Sequence, residues 1–406
     1  MNSICLHNAM VLSFPEAIPH GAVLIENGTI AEVFSEWRFK QTIFKPGVKM
    51  IDVQGAYAAP GFIDTHIHGF GGFGADDAVY PEYSALKGRF SPAEDAAASI
   101  IQMSRLLVKY GVTAFNPTVY PAPREILIDA VAKVTDAMGR EDGASIMGLH
   151  IEGPFLSPEK LGVQRPETIS EVDIDYMERL WEASSGHIVN MTAAPEIRNM
   201  RSLALCCGKK GIVLQAGHTN ARFEDMVEGM QVGILHATHM FNAMSKLDQR
   251  SPNAVGAILT HPEVSCEIIA DGFHVHPNLF KLLAQNKPMD KIVLVSDCLK
   301  PADQAEGPYY ANGEEMVLSG GLFRRKPDDV IAGTNINLMK SVQNLVKFGF
   351  TLEDAVKAAS TNPAAVMGYA KKGRIFPGMD ADIAVFDKDF SVRATIVGGE
   401  IKYDNL

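Results

Sequence analysis

Two histidines separated by a single residue, His66 and His68, close the apolar stretch Phe62–Ile67. In an extended strand, residues two apart share a face. Two neutral imidazoles on one face can hold a borderline divalent metal ion. A lone pair of this kind is ordinary, since most histidines fill a core or a surface. Here other polar residues recur at the same place, just past a short apolar run. They are His150-Ile151-Glu152-Gly153-Pro154, Gly217-His218-Thr219-Asn220, Thr238-His239-Met240-Phe241-Asn242-Ala243-Met244, Asp271-Gly272-Phe273-His274 and Ser296-Asp297. Scattered surface histidines would not line up this way. Each residue also has a plain structural reading. Glu152 could turn the chain before Gly-Pro, His218 could enter a helix, His239 could be a hydrogen-bonded core histidine, and Asp297 could cap a helix. His150 shares a face with Glu152 and reads as an interior or supporting residue. His276 reads as surface, Met240 and Met244 as packing, and Cys298 as a small buried residue. Taken together, the set brings three to five metal ligands and one lone carboxylate to one rim.

Such a rim needs a scaffold. Apolar, strand-like runs occur at Gly61–Ile67, Val112–Thr118, Ile146–Ile151, Ile188–Thr192, Ile212–Ala216, Ile234–Thr238, Cys266–Ala270 and Ile292–Ser296. Helix signals lie between them. Ser91-Pro92-Ala93-Glu94 is a capping box with Pro at the first helical position. Ser170–Asp173 and Thr351–Asp354 are looser versions, and Ala221–Met230 and Pro277–Gln285 carry helical spacing. Eight such units predict an α/β fold, a (β/α)8 TIM-type barrel over residues 59–370, whose sites sit at the C-terminal strand ends. A doubly wound open sheet is the alternative, but no dinucleotide glycine fingerprint follows the first strand. Both chain ends read differently. Asn27-Gly28 between apolar runs is a hairpin signal, and the last stretch alternates in the same way. Residues 1–58 and 371–406 are therefore expected to meet in a small β-sandwich domain.

The chain of 406 residues has a net charge of −11, which argues against a nucleic-acid surface or anionic lipid. A small phosphorylated substrate stays compatible, because one Arg and a metal reverse the field locally. Five cysteines without CxxC spacing read as reduced thiols. No basic segment followed by a long apolar run opens the chain, and no membrane-length apolar stretch occurs. The expectation is a cytoplasmic protein.

These motifs resemble the amidohydrolase superfamily, and within it the N-acetylglucosamine-6-phosphate deacetylases. The resemblance rests on Pro60–Gly69, His150–Phe155, Ala193–Glu196, Gly217–Ala221, Thr238–Met244, Ala270–His274 and Val295–Asp297, with Asn362–Ala364 and Gly378–Asp382 later. It covers nearly the whole chain. The Glu-Gly-Pro and Thr-His-x-Phe-Asn-Ala-Met stretches belong to the deacetylase branch, whereas His-x-His is superfamily-wide. The resemblance implies that Glu152, His218 and His239 bind the principal metal and that His66 and His68 hold a second ion. It implies Asp297 as general base and acid. Asn242, the Ala243 amide, Arg250 and His274 would hold the phosphate of an N-acetylated amino sugar. The ion would be divalent, with zinc first and iron, cobalt or manganese as alternatives. The arginine reaches across a dimer interface in this family, so a homodimer or larger assembly is expected.

Two departures stand out. Gln164 occupies the place of a family histidine that polarises the acetyl carbonyl; a glutamine donates a hydrogen bond but cannot become cationic. Arg250-Ser251-Pro252-Asn253 replaces an Arg-Glu-Pro-Gly pattern, and Leu299–Tyr310 also diverges. They leave open a deacetylase for another sugar, such as N-acetylgalactosamine 6-phosphate, or a hydrolase of a different cyclic amide. A non-catalytic scaffold on a retired barrel would have lost ligands, and here all are present.

Overall fold

All six residues of Phe62–Ile67 are buried, as a strand covered on both faces requires. The computed structural model describes residues 3–80, 95–326 and 328–406. Phe62–Ile67 is the first of eight parallel barrel strands. The others are Val112–Val119, Leu149–Glu152, Ile188–Ala193, Val213–Ala216, His236–Ala237, Ser265–Ile269 and Ile292–Val295. Neighbours pair in chain order, for example Phe62 with Val112, Ile151 with Met191, and Cys266 with Ile292. The ring closes between the eighth and first strands. Asp297 N donates to His66 O at 2.9 Å, and Ser296 N to Asp64 Oδ1 at 3.2 Å. The expected barrel and the order of its strands are present.

Helices pack outside the strands. Asp95 caps Ala96–Leu107 by accepting from Ala98 N; the capping box read at Ser91–Glu94 lies outside the described residues. Thr351 caps Leu352–Ala359 as expected. The looser box at Ser170 is not a cap. The helix starts four residues later at Ile174, where the Asp173 carboxylate takes the amide of Tyr176. Phe223–Gln231 and Pro277–Asn286 match the helical spacing read there. Among the described residues no helix is long and apolar enough to cross a membrane.

The two chain ends meet as expected. Ile383–Phe386 pairs antiparallel with Tyr57–Pro60, and Tyr57–Pro60 pairs with the N-terminal strand Ser3–Ser13. Eight strands form one connected sheet with a core of its own, including Leu6, Val11, Ile25, Val385 and Ile396. The sheet bends far enough that two hairpin tips touch. A Cβ on Gly28 would lie 3.0 Å from Gly398 O, and Gly28 has φ +81°. With Asn27 at φ 53°, the turn is the doubly left-handed kind that Asn-Gly favours.

One element was not anticipated. After the eighth barrel strand comes an antiparallel four-stranded sheet, Gly307–Ala311, Glu314–Ser319, Leu322–Arg325 and Ile331–Thr334. Its apolar face includes Met316, Leu318 and Phe323 and packs on Tyr120 and Leu299 beside the barrel mouth. The signal was present. Asn312-Gly313 and Gly320-Gly321 separate alternating apolar runs, just as Asn27-Gly28 does.

Candidate active site

Glu152 ends the third barrel strand, and its carboxylate reaches the middle of the barrel mouth. His218 Nε2 and His239 Nε2 lie 3.1 Å and 3.2 Å from Glu152 Oε1, and 3.1 Å from each other. Ligand atoms around a tetrahedral zinc ion, with bonds of about 2.0–2.1 Å, stand roughly 3.3 Å apart. Beside them, His66 Nε2 and His68 Nε2 lie 3.6 Å and 3.5 Å from Asp297 Oδ1. Glu152 joins the two groups. Its Oε1 is 3.5 Å from His66 Nε2, and its Oε2 is 3.3 Å from His68 Nε2. Each group, Glu152-His218-His239 and His66-His68-Asp297, has the spacing to hold a metal ion.

The chemistry of the donors fits a cation. His218 Nδ1 donates to Lys160 O at 3.0 Å, and His68 Nδ1 to Thr118 O at 3.2 Å. That leaves the Nε2 lone pairs facing the cluster. His239 Nε2 faces the same point, 3.1 Å from His218 Nε2. His66 Nε2 and His239 Nδ1 are buried without a hydrogen-bond partner among the described residues. The carboxylates reinforce the case. Burial alone would lower His66, but Glu267, Asp297 and Glu152 outweigh it and push the ring up to about 10. Burial would raise Glu152, yet the His218 and His66 rings beside it hold it well below the ordinary carboxylate range. A dry pocket with several carboxylates needs a compensating cation.

The backbone is strained where the ligands are presented. His218, His239 and Asp297 have φ of 47°, 27° and 49°, in the left-handed region. Each costs on the order of 1–3 kcal/mol, and such strain persists where surrounding structure fixes it.

A cavity of about 300 Å³ opens on this cluster, with Gln164, Asn242, Ala243 and His274 in its wall. His274 Nδ1 donates to Asp271 Oδ2 at 2.6 Å, and Asp271 also accepts from the amides of Phe273 and His274. Burial would lower His274, but this bond and the Asp271 charge raise it. Asn242 spends its amide hydrogens on His239 O and Met240 O, which steadies the turn that carries His239. Gln164 is turned otherwise than its family counterpart would suggest. Its Nε2 donates to Glu152 Oε2 at 2.7 Å, because the ionised carboxylate is the strongest acceptor within reach. Arg250 is exposed and absent from the cavity wall of its own chain. His150 is interior, bonded to Thr118 and Thr192. His276 caps its helix, and Met240, Met244 and Cys298 are buried.

Sequence reasoning overlooked three residues. Glu267, fully buried, holds His66 Nδ1 at 2.9 Å and accepts from His239 N and Gln215. It was detectable as the one charge inside the apolar run Cys266–Ala270. Tyr120, at the end of the second strand, stacks on His68 with centroids 3.7 Å apart and planes 3° from parallel. Asn312 comes from the inserted sheet.

Comparison with known proteins agrees with this geometry. The sequence pattern of the amidohydrolase family matches residues 57–402. An N-acetylglucosamine-6-phosphate deacetylase of Haemophilus influenzae is 31% identical over 98% of both chains. The crystal structure of the Pasteurella multocida deacetylase superposes with a TM-score of 0.87 at 26% identity, over 99% of this chain and 100% of that one. A mutant of the Mycobacterium smegmatis deacetylase, in complex with N-acetyl-D-glucosamine-6-phosphate, superposes at 0.86 and 25% identity over the same shares. Metal-ligand geometry, barrel and full-length similarity together place the chain in the amidohydrolase family, on the branch of the N-acetylglucosamine-6-phosphate deacetylases.

Proposed function

We propose that this protein hydrolyses the N-acetyl group of N-acetylglucosamine 6-phosphate in a metal-dependent reaction, giving acetate and glucosamine 6-phosphate. The convergence of Glu152, His218 and His239 on one point, with the Asp297 carboxylate beside it, carries the reading. A divalent ion held there, zinc first and iron, cobalt or manganese as alternatives, supplies a Lewis acid and lowers the pKa of its water to about 7. Two groups of ligands sharing Glu152 support one or two ions.

The chain's own residues do the rest. Asp297 takes the proton of the attacking water. It then returns a proton to the departing nitrogen, which otherwise leaves as a poor amide anion. Glu267 and Tyr120 hold the rings of His66 and His68. His274, whose pKa the Asp271 hydrogen bond raises, meets the anionic end of the sugar. Asn242 and Ala243 border it, and Arg250 of a second copy completes it in a homodimer or larger assembly. The protein acts in the cytoplasm, without nucleic acid or membrane.

Elemental analysis of purified protein, combined with acetate release from N-acetylated sugars with and without the 6-phosphate, tests the reading. About one or two equivalents of divalent metal and turnover of the glucosamine 6-phosphate derivative are expected. A metal-free protein that stays inert with added zinc, iron or cobalt would refute it. A second reading, the galactosamine epimer as substrate, is favoured by the Gln164 contact to Glu152 and the altered Arg250 loop. Faster turnover of that epimer in the same panel would select it.

A further inference from the structure

Asn312 lies at the tip of the first hairpin of the inserted sheet, 1% exposed. It has φ 52° and Gly313 has φ 69°, the same doubly left-handed turn as at Asn27-Gly28. Its Nδ2 donates to Val163 O at 3.0 Å and to Gln164 Oε1 at 3.3 Å. Its backbone N donates to Asp76 Oδ2 at 3.1 Å, which anchors the tip to the loop after the first strand. Gln164, 2% exposed, donates from Nε2 to Glu152 Oε2 at 2.7 Å. Glu152 Oε1 is the oxygen that faces His218 and His239.

The direction of this chain of bonds is fixed at both ends. A backbone carbonyl only accepts, so Val163 O forces Asn312 to present its NH2 group. That group also faces Gln164, whose side chain must then offer its oxygen there. The other side of the Gln164 amide is NH2, which is what the acceptor-only Glu152 carboxylate requires. No flip of either amide satisfies the set. We propose that Asn312 is a positioning residue: through Gln164 it fixes the orientation of the Glu152 carboxylate towards the His218–His239 pair, making the inserted sheet part of the metal site. The proposal rests on the reading that Glu152, His218 and His239 hold an ion.

The test uses the full-length protein and zinc ions in competition with a chelating dye. Asn312→Gly keeps the left-handed turn and removes the amide. It is expected to weaken zinc binding at least tenfold, in the range seen when a ligand's orienting partner is lost, beside a modest fall in the melting temperature of metal-free protein from the unpaired Val163 O. Asn312→Asp should weaken it further. Its carboxylate attracts the Gln164 NH2, flips that amide and points an oxygen at Glu152. The decisive measurement is the cycle with Gln164→Ala. In that background Asn312→Gly should have no further effect on zinc affinity, because the connecting residue is gone. Independent, additive losses would overturn the proposal, as would unchanged affinity in Asn312→Gly. Should Asn312→Gly be unstable, the same cycle is read with Asn312→Asp. Wild-type protein that binds no zinc refutes the metal reading itself; tight wild-type binding with indifferent variants refutes only the role of Asn312.

Discussion

Asp297 differs from the other acids of the cluster in keeping some exposure to the cavity, its side chain being 11% accessible, whereas Glu152 and Glu267 are almost wholly enclosed. The enclosed pair suits holding ions and histidines, and the open one suits moving protons. Asp297→Asn keeps the shape but cannot accept a proton. It should retain the ion of the Glu152 group and lower kcat by about 10²–10⁴-fold; a near wild-type kcat at full metal content would remove Asp297 from this role. His274 allows a pH test. Its raised pKa keeps it cationic below that value, and its attraction for a phosphate is lost as pH rises through it. For the phosphorylated sugar, kcat/KM should therefore hold beyond the ordinary imidazole value of about 6.5 before falling. Asp271→Asn removes the supporting charge and should move the fall to lower pH. An unmoved profile would show that another group titrates.

At the scale of elements, the site depends on the first strand being set at the right height. Gly61 joins Tyr57–Pro60 of the terminal sheet to Phe62–Ile67 of the barrel, and its N donates to Asp382 O at 2.9 Å. A Cβ there would stand 2.2 Å from Thr113 Oγ1 and 2.3 Å from Thr113 Cγ2. Both are branches of one stiff side chain on the neighbouring strand. Gly61→Ala should cost about 1–3 kcal/mol in denaturant unfolding, and the displaced strand should loosen metal held by His66 and His68. Unaltered stability would mean that Thr113 yields freely. The inserted sheet is the second such element. Its last strand runs beside the eighth barrel strand's exit, where Thr334 N donates to Asp297 O at 2.7 Å. With Leu299, its residues 330–333 form one wall of the cavity over the ligand cluster.

For the whole molecule, Arg250 poses the main question, because its own cavity does not receive it. If a second copy supplies it, two inactive variants should repair each other. Co-expressed Arg250→Ala and Asp297→Asn chains would form mixed dimers with one complete site, and activity should return to a measurable fraction of wild type. No recovery in a proven mixed dimer would show that the arginine serves no partner site. How much of this was legible beforehand differs from residue to residue. The eight strands and the polar residues at their ends were readable because strand length and the period of two are local, and one known edge of the barrel places every run end on the same rim. The Asn27-Gly28 turn was readable for the same reason, and Asn312-Gly313 carried an equal signal. The sequence by itself therefore determined the barrel, the branch of the family, and which polar residues stand at the ends of its strands. Tertiary structure alone decided that the Gln164 amide, in the cavity wall, bonds to Glu152, that Glu267 holds His66, and that Asn312 arrives 148 residues further along the chain to meet Gln164. A hydrogen bond goes to whichever acceptor the packed loops bring near, and that proximity is set by the closed barrel and its inserted sheet, not by spacing along the chain.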